Sequence, residues 1–519
     1  MTTPTVGATS LEWGDTWPSR DEFVALGATH RVVPVARRLL ADDWTPVAVY
    51  AALAQSRPGT FILESAEPDG TRSRYSFIGV RSGASLTIVG DNARWSGDVP
   101  LGLADGKPLD VIGSALELLA SEHIEGLPPL TGGLVGALGW DIVRQWEPTL
   151  PADAKRELDV PDALLMLATD LAVLDHIDGS VWLIANAVNS DALPTGIDAA
   201  YSSAVSRIDA MEAALAAAPR LPAMAIDAAL PEGAVTQRSA VGEYEKMVKY
   251  AKESIREGDV FQVVPSQRFD AECSASAFDV YRVLRTLNPS PYMYYLECED
   301  ADGREFAIVG ASPESLVTVK NRAVLTYPIA GSRPRGRTPE LDKALEVDLL
   351  NDPKEAAEHV MLVDLSRNDL VKVCEPTSVE VIEFMAVNRY SHIMHICSTV
   401  VGTLEADATA LDAFVATFPA GTLSGAPKPR AIALIDELEP VRRGFYGGAI
   451  GYFDFAGNMD LAIAIRTAVV KDGVAYVQAG AGIVADSVPT SEAQETRDKA
   501  AAMLRAVSRA NLLVPASSR

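Results

Sequence analysis

The sequence predicts an α+β fold in which large, mostly antiparallel β-sheets are flanked by helices. Three observations support this class: predicted strands outnumber predicted helices, the strands follow one another in meander-like runs, and no regular strand–helix alternation indicates a doubly wound parallel sheet. Hydrophobic residues make up 48% of the 519 residues. A chain of this size and composition can bury a large core.

The N-terminal half is predicted to begin with a flexible tail over residues 1–20, followed by a domain over residues 21–225. A helix is expected to start at Thr45-Pro46, where proline suits the first helical turn. An Ala-rich helix is expected over residues 195–219. The predicted strands of this half include residues 61–65, 74–79, 85–89, 163–176 and 180–188.

A Pro- and Ala-rich stretch of weak periodicity over residues 226–239 predicts a linker, and residues 240–519 form the second predicted domain. Its first helix is expected to end at Gly258, a favourable C-terminal cap. Further helices are expected at 277–287, 353–369, 410–418, 430–438 and around Glu492. The expected strands are 259–269, 292–298, 306–310, 316–319, 323–327, 378–384, 389–402, 447–455, 459–470 and 474–481.

Composition excludes several classes of function. The net charge of −25 leaves no basic surplus for a nucleic-acid binder. No apolar run reaches the roughly 18 residues of a membrane span, and the acidic first twenty residues do not resemble a secretory signal. Four scattered cysteines without a C-x-x-C pair fit a reducing compartment. We therefore expect a cytoplasmic protein.

Two helices carry paired glutamates at helical spacing. Glu355 and Glu358 share one helix face, and Glu492 and Glu495 share another. Four carboxylates on facing helices would make an all-oxygen site for a hard cation such as Mg2+. The alternative is two ordinary solvated helix faces.

Several segments of the second half together resemble the chorismate-utilising enzymes, and specifically anthranilate synthase component I. The resemblance covers residues 240–510 closely and the N-terminal half more loosely. It implies an α/β sandwich with the active site between two large sheets. The segments that carry it are GDVFQVVPSQRF (258–269), NPSPYMYYL (288–296), GASPESLV (310–317), YPIAGSRPRG (327–336), PKEAAEHVMLVDLSRND (353–369), RYSHIMHICSTVVG (389–402), FPAGTLSGAPKPRA (418–431) and QAGAGIVADSVPTSEAQET (478–496).

The reaction implied by the resemblance is chorismate plus ammonia giving anthranilate, pyruvate and water, the first committed step of tryptophan biosynthesis. Mg2+ would hold the ring carboxylate through Glu358 and Glu495, with Glu355 and Glu492 direct or water-mediated ligands. Glu314 matches the general acid that protonates the departing hydroxyl, or else is a turn residue after Pro313.

His395 is the candidate base for pyruvate elimination, although a half-buried histidine can be purely structural. Arg466 would bind a substrate carboxylate, or else make a structural ion pair. The other substrate contacts implied by the resemblance are Gly331, Thr422, Tyr446, Gly480, Ala481 and Gly482.

Two positions discriminate within the family. Gln262 stands where the water-using isochorismate and salicylate synthases carry a lysine base. Ala330 stands where aminodeoxychorismate synthases typically carry an attacking lysine. Both alternatives are therefore disfavoured, and ammonia is the expected nucleophile.

Because no glutaminase segment is visible, ammonia is expected from a separate glutamine amidotransferase subunit. The expected assembly is either a heterotetramer with this subunit or a homodimer.

The resemblance also implies an inhibitor site for L-tryptophan in the N-terminal half, with the alternative of a plain strand end packed between domains. Glu64 would bind the inhibitor amine, and a basic residue, Arg72 or Arg74, is expected nearby. The residues of this expected site are Leu63, Glu64, Ser65, Asn288, Pro291, Tyr292, Met293, Ile450 and Tyr452.

The second class of function considered is a non-catalytic regulatory or binding subunit that keeps the same fold. The intact glutamates, His395 and Arg466 argue against it.

Overall fold

The computed structural model describes residues 8, 11–66, 71–151, 154–189, 196–389 and 393–518. Much of the predicted N-terminal tail, and part of the segment 389–402, lie outside the described residues. None of the described helices is long and apolar enough to cross a membrane.

Among the described strands, β4 and β7 are the longest, with 15 and 13 residues. In chain order the strands are β1 (Thr16–Trp17), β2 (Val32–Leu40), β3 (Thr60–Glu64), β4 (Tyr75–Val89), β5 (Asn92–Gly97), β6 (Gly133–Leu138), β7 (Ala163–Asp175), β8 (Ser180–Val188), β9 (Met224–Ile226), β10 (Val235–Gln237), β11 (Gln262–Val263), β12 (Ser266–Glu272), β13 (Tyr292–Glu299), β14 (Glu305–Ser312), β15 (Ser315–Lys320), β16 (Ala323–Thr326), β17 (Ile329–Pro334), β18 (Glu380–Arg389), β19 (Ile393–Thr403), β20 (Gly425–Ala426), β21 (Ala449–Asp454), β22 (Met459–Ile463), β23 (Thr467–Lys471), β24 (Val474–Gly480) and β25 (Leu513–Pro515).

The helices begin with recognisable sequence signals. Thr45, Ser276, Thr338 and Asp352 each cap a helix with a side-chain oxygen, and Gly258 ends α5 with φ +85°. The helices are α1 (Arg20–Gly27), α2 (Pro46–Leu53), α3 (Pro108–Leu118), α4 (Gly196–Ala217), α5 (Glu243–Glu257), α6 (Ala277–Leu287), α7 (Pro339–Asn351), α8 (Pro353–Leu370), α9 (Ala410–Thr417), α10 (Lys428–Leu438) and α11 (Pro489–Asn511).

Twenty-one strands form one network of antiparallel pairs that folds into two layers. Sheet A runs β1-β2-β8-β7-β4-β3-β13-β14-β23-β24-β12-β10, and sheet B runs β5-β4-β7-β6-β21-β22-β15-β16-β19, with β17 and β18 also paired to β19. Strands β4 and β7 belong to both sheets because their pairing shifts register between Gly79 and Ala84. Such bulges bend a strand and let one layer continue into the other.

The α+β sandwich predicted from the sequence is confirmed. Side chains of both sheets fill the space between the layers, among them Phe61 and Tyr294 of sheet A and Val135 and Ile450 of sheet B. Helices α1, α2, α4, α6 and α11 cover the outer face of sheet A, and α3, α9 and α10 pack on sheet B. The active site is therefore expected where the two sheets meet.

Both sheets contain strands from both halves of the sequence. Strand β3 pairs with β13, and β6 pairs with β21, so strands preceding residues 226–239 lie beside strands that follow them. The domain boundaries stay a prediction. Within the predicted tail, β1 pairs with β2, and within the predicted linker β10 pairs with β12.

Several details of the expected secondary structure are wrong. The strand expected at 259–269 is two strands, β11 and β12, and helix α1 was not anticipated. Helices α3 and α7 were not anticipated, although α7 has a threonine cap and a proline at its start. The strand expected at 459–470 is two strands, because the backbone leaves the extended conformation before Thr467 and Arg466 has φ +51°. The left-handed residue interrupts regular strand pairing at this point, and β22 and β23 lie in different sheets.

Candidate active site

Two crossovers between the sheets carry the central pair of the site. The chain passes from β14 in sheet A to β15 in sheet B through Pro313 and Glu314, and it returns from β22 to β23 through Arg466. The crossovers are held together by backbone hydrogen bonds, since Ile463 N–H donates to Glu314 O at 3.0 Å and Ala311 N–H donates to Arg466 O at 3.2 Å. Glu314 and Arg466 therefore meet between the sheets.

Glu314 is a carboxyl group suited to hold a proton near neutral pH. Burial raises its pKa to about 7, although a hydrogen bond from Thr422 and the charges of Lys499 and Arg466 oppose this rise. Thr422 Oγ1 donates to Glu314 Oε1 at 3.0 Å and fixes the carboxyl orientation. A carboxyl whose pKa lies close to the operating pH can act as a general acid.

Arg466 is a half-buried cation without a carboxylate partner. No carboxylate of the described residues forms an ion pair with it, and its Nη1 donates to the Lys499 backbone carbonyl at 2.9 Å. Burial lowers its pKa, while Tyr446, Glu495 and Glu314 raise it. The structure thus does not provide the structural ion pair considered as an alternative, and the guanidinium can bind an external anion.

A tyrosine and a glycine turn line the same region. The Tyr446 hydroxyl accepts a hydrogen bond from the Gly480 backbone, and burial raises the Tyr446 pKa to about 12. Ala481 is fully buried, and a Cβ at Gly482 would lie 2.7 Å from Gln262 Nε2. The absence of a side chain at Gly482 lets the buried Gln262 amide approach the turn closely.

His395 is oriented by a bulge in the neighbouring strand. The pairing of β17 with β19 shifts between Ala330 and Ser332, and Gly331, the extra residue, has φ +65°. Its carbonyl lies 2.9 Å from His395 Nδ1. A carbonyl only accepts hydrogen bonds, so Nδ1 carries the proton of the neutral ring and Nε2 carries the lone pair. Burial lowers the His395 pKa, with the Arg466 charge acting in the same direction.

The four glutamates of the predicted cation site face one another across α8 and α11. Burial raises the pKa of Glu358, and the charges of Glu355 and Glu495 raise it further. Burial also raises the pKa of Glu492, again with a contribution from Glu495. These mutual effects show that the two helix faces are neighbours and not separate solvated surfaces.

The four side chains suit a hard cation by their chemistry. All donors are carboxylate oxygens, and a divalent cation would relieve the like-charge repulsion that raises the Glu358 pKa. Within the described residues, however, no three potential ligands converge into a closed coordination shell. Glu495 instead contacts the ammonium of Lys499, with Oε1 2.7 Å from Nζ.

Lys499 belongs to the site and was not anticipated from the sequence. Besides pairing with Glu495, its Nζ donates to Gly480 O at 3.0 Å, so it connects the glutamate face with the glycine turn. The signal that could have identified it is the Glu-to-Lys spacing of four residues on α11, which places the two side chains on one face.

Five residues of the expected inhibitor site converge between the sheets. Leu63 and Tyr292 lie at the paired ends of β3 and β13, and Ile450 and Tyr452 project from β21 into the same inter-sheet core. Ser65 follows β3 directly, and its buried Oγ has no hydrogen-bond partner. This arrangement leaves a polar group available beside aromatic walls.

Glu64 and Met293 lie on the opposite face of the same strand pair. They are partners across β3 and β13, and Met293 packs in the core beneath the helices of sheet A. The Glu64 carboxylate accepts hydrogen bonds from Tyr281 and Arg285 of α6. Glu64 is thus neutralised within the chain, which was not expected of a residue that binds an external amine.

The remaining residues of the expected inhibitor site precede β13. Asn288 ends α6, and Pro291 is buried just before the strand. Of the two basic candidates, Arg74 forms a bidentate pair with Asp175, with Nη2 2.7 Å from Oδ2. The side chain of Arg72 lies outside the described residues.

Comparison with known proteins places this geometry in a family. The profile of the chorismate binding enzymes matches residues 59–505. The chain belongs to the chorismate binding enzyme family. Among curated relatives of this family, anthranilate synthase component 1 of Arthrobacter globiformis is 54% identical over 499 residues, covering 96% of this chain and 94% of its own. The Mycolicibacterium smegmatis protein of the same name is 52% identical over 497 residues, covering 95% and 94%.

A solved structure agrees. The crystal structure of anthranilate synthase component I from Streptococcus pneumoniae matches with a TM-score of 0.72 at 37% identity, covering 85% of this chain and 94% of its own. Chorismate binding enzymes are generally metal-dependent, which agrees with the carboxylate chemistry of α8 and α11.

Proposed function

We infer that this chain is a lyase of the anthranilate synthase type, which converts chorismate and ammonia to anthranilate, pyruvate and water. The observation that carries this inference is the placement of a protonatable Glu314 beside an Arg466 that has no carboxylate partner. Its near-full-length similarity to anthranilate synthase component 1 proteins supports the same reaction.

Arg466 binds a carboxylate of chorismate in two hydrogen bonds, which its planar guanidinium favours. The Tyr446 hydroxyl and the backbone of Gly480, Ala481 and Gly482 surround the enolpyruvyl group. Gly331 and Ala330 lie on the opposite wall, beside His395. The substrate is thus held between sheet A and sheet B.

Glu314, positioned by Thr422, donates its proton to the C4 hydroxyl, which leaves as water while ammonia bonds at C2. His395 then removes the C2 proton as pyruvate is eliminated. Two features support this role: the Gly331 carbonyl leaves the lone pair on Nε2, and burial keeps the imidazole neutral. A neutral imidazole with a fixed tautomer is the form that accepts a proton.

Mg2+ is the proposed cofactor, held by Glu358 and Glu495 directly and by Glu355 and Glu492 directly or through water. When bound, it would polarise the ring carboxylate and stabilise charge in the transition state. Lys499 pairs with one of these ligands, because its ammonium lies 2.7 Å from the Glu495 carboxylate.

Ammonia is the nucleophile because Gln262 cannot serve as a base for water and Ala330 cannot attack the ring. Its proposed source is a separate glutamine amidotransferase, and the name component 1 of the relatives implies that a partner component exists. L-Tryptophan is proposed as an inhibitor that binds between the sheets beside Ser65.

The test is a product analysis of the purified chain with chorismate, Mg2+ and an ammonium salt. The expected products are fluorescent anthranilate and pyruvate in equal amounts. With glutamine in place of ammonium, the chain alone should be nearly inactive. Isochorismate or salicylate would identify water as the nucleophile, a 4-amino product would identify attack at the other ring carbon, and no consumption of chorismate would exclude catalysis.

A further inference from the structure

A small recess lined by both polar and apolar residues adjoins Glu314. Its volume is ≈ 50 Å³, and it is bounded by β15, β16, the C-terminal half of α8 and the loop that carries Thr422. Glu314 and Thr422 form one end of the recess, and Asp369 and Thr417 form another part of its wall.

Two hydroxyl groups in the wall of this recess have no hydrogen-bond partner. Ser315 is 7% exposed and Thr326 is 6% exposed, and neither Ser315 Oγ nor Thr326 Oγ1 forms a hydrogen bond with any of the described residues. A buried hydroxyl without a partner costs about 1–3 kcal/mol, so such groups in a polar cavity are normally satisfied by water. The recess has room for about three waters.

The recess approaches the protein surface at an ion pair. Asp369 accepts a hydrogen bond from Lys428 Nζ at 2.6 Å, and the same Nζ donates to Thr417 O at 2.8 Å. On the other side of Lys428 is an open groove of ≈ 580 Å³, which Trp146 and Phe418 also line. Lys428 lines this groove and its partners Asp369 and Thr417 line the recess, so the Lys428–Asp369 pair lies between the two cavities.

We propose that water in this recess connects Glu314 with solvent through the Asp369–Lys428 pair and returns a proton to Glu314 after each turnover. Ser315 and Thr326 are positioning residues that hold this water. The inference rests on the proposed function, because it assigns the acid role to Glu314.

The protons balance in this scheme. The C4–O bond breaks with its electron pair on oxygen, which takes the Glu314 proton and leaves as water. The nitrogen bonded at C2 releases one proton to solvent, and one proton passes from solvent through the recess to the Glu314 carboxylate. No proton is gained or lost overall, and no further reactant is needed.

The first test compares Thr326→Val with Thr326→Ser. Valine has nearly the same shape but no hydroxyl, whereas serine keeps the hydroxyl. We expect Thr326→Val, and likewise Ser315→Ala, to lower kcat about tenfold, to increase the solvent deuterium isotope effect on kcat, and to leave KM for chorismate within twofold. Thr326→Ser should retain more than half of the parent kcat and the parent isotope effect.

Thr399→Val is the matched control. Thr399 is a buried threonine of β19, the strand beside β16, but it lines no part of the recess. Its loss should leave kcat and the isotope effect unchanged. Thermal unfolding of all variants identifies any that fail to fold, and Ser315→Ala then serves in place of Thr326→Val.

The second test is a high-resolution crystal structure of the parent chain. We expect ordered water within hydrogen-bond distance of Ser315 Oγ and Thr326 Oγ1. A dry recess would overturn the proposal, as would an unchanged kcat and isotope effect in folded Thr326→Val and Ser315→Ala. A parent chain that forms no anthranilate from chorismate and ammonium would instead overturn the proposed function, and the crystal structure would still decide whether the recess holds water.

Discussion

At the scale of single residues, Glu314 defines a dependence on pH that can be separated from the supply of ammonia. Burial raises its pKa to about 7, so the carboxyl is protonated below this pH and loses its proton above it. Only the protonated form can assist the departing hydroxyl. Because free ammonia increases with pH, the two effects oppose each other when the total ammonium concentration is fixed.

We therefore predict that kcat at a constant concentration of free ammonia falls about tenfold per pH unit above pH 7. Glu314→Gln should lower kcat by about 10²–10⁴-fold and should remove this descending limb. Stopped-time measurements of anthranilate fluorescence across pH 6–9 are the test. A parent profile that stays flat above pH 7 would contradict the acid role.

The second residue-scale prediction concerns Arg466. Arg466→Lys keeps the positive charge but loses the planar pair of donors, so KM for chorismate should rise roughly 10–100-fold, as expected for a lost charged hydrogen bond. Arg367→Lys on α8 is the control, since Arg367 is exposed and, among the described residues, forms an ion pair with Asp364 alone. An equal KM in both variants would show that Arg466 does not bind the substrate.

The sequence identified which residues belong to the site better than it predicted the hydrogen-bond and ion-pair partners of those residues. The resemblance identified Glu314, Thr422 and Arg466, and the structure brings all three together. It did not predict that Glu64 is bonded to Arg285, because a partner on a neighbouring helix has no signal in the local pattern. Lys499 was detectable from its spacing to Glu495, but its contact with the Gly480 carbonyl depends on how α11 packs on β24.

At the scale of elements, α8 and α11 act as a pair. Each helix starts at a proline and carries two glutamates near its N-terminus, where the helix dipole favours negative charge. The start of α8 followed from the Asp352 cap and Pro353, and the start of α11 followed from Pro489. The adjacency of their acidic faces did not follow from local sequence, because it depends on the two sheets to which they are attached.

We predict that Mg2+ stabilises the chain through these two helices. At about 100 times its dissociation constant, a ligand bound only by the native state adds about 2.7 kcal/mol of stability, so the melting temperature should rise measurably with Mg2+. Glu358→Gln and Glu495→Gln should lose both this rise and the turnover. Glu380→Gln, an exposed change at the start of β18, should keep both. Full activity of the parent chain in excess EDTA would contradict a catalytic Mg2+.

At the scale of the whole molecule, the two sheets connect the expected inhibitor site with the active site. Strand β13 would form a wall of the expected inhibitor site, and its neighbour β14 leads directly into Glu314. Strand β21 would form another wall of that site, and its neighbour β22 leads into Arg466. The two crossovers thus connect both sheets with both sites. Alternating apolar patterns in the sequence do not reveal this topology, because they locate strands but do not show which strands pair. Allostery requires two states as well as two sites, and a change in the spacing of the sheets is one movement that would reach both.

The last prediction is that L-tryptophan inhibits from between the sheets, at a place distinct from the chorismate site. Ser65 Oγ is buried without a hydrogen-bond partner among the described residues. Ser65 lies two residues after Leu63, which packs in one cluster with the aromatic residues of β13 and β21, so a large side chain at Ser65 would fill the space that an indole needs. Ser65→Phe should raise the tryptophan concentration for half-inhibition at least about tenfold, since filling a well-packed site typically costs 1–3 kcal/mol, and should leave kcat within twofold. Ser202→Phe, on the exposed side of α4, is the control and should be inhibited like the parent.

Inhibition should be measured at two chorismate concentrations, and the binding of tryptophan should be measured directly by calorimetry. If Ser65→Phe binds tryptophan as tightly as the parent, the inhibitor lies elsewhere, and the unpaired Ser65 hydroxyl is only a feature of the strand end.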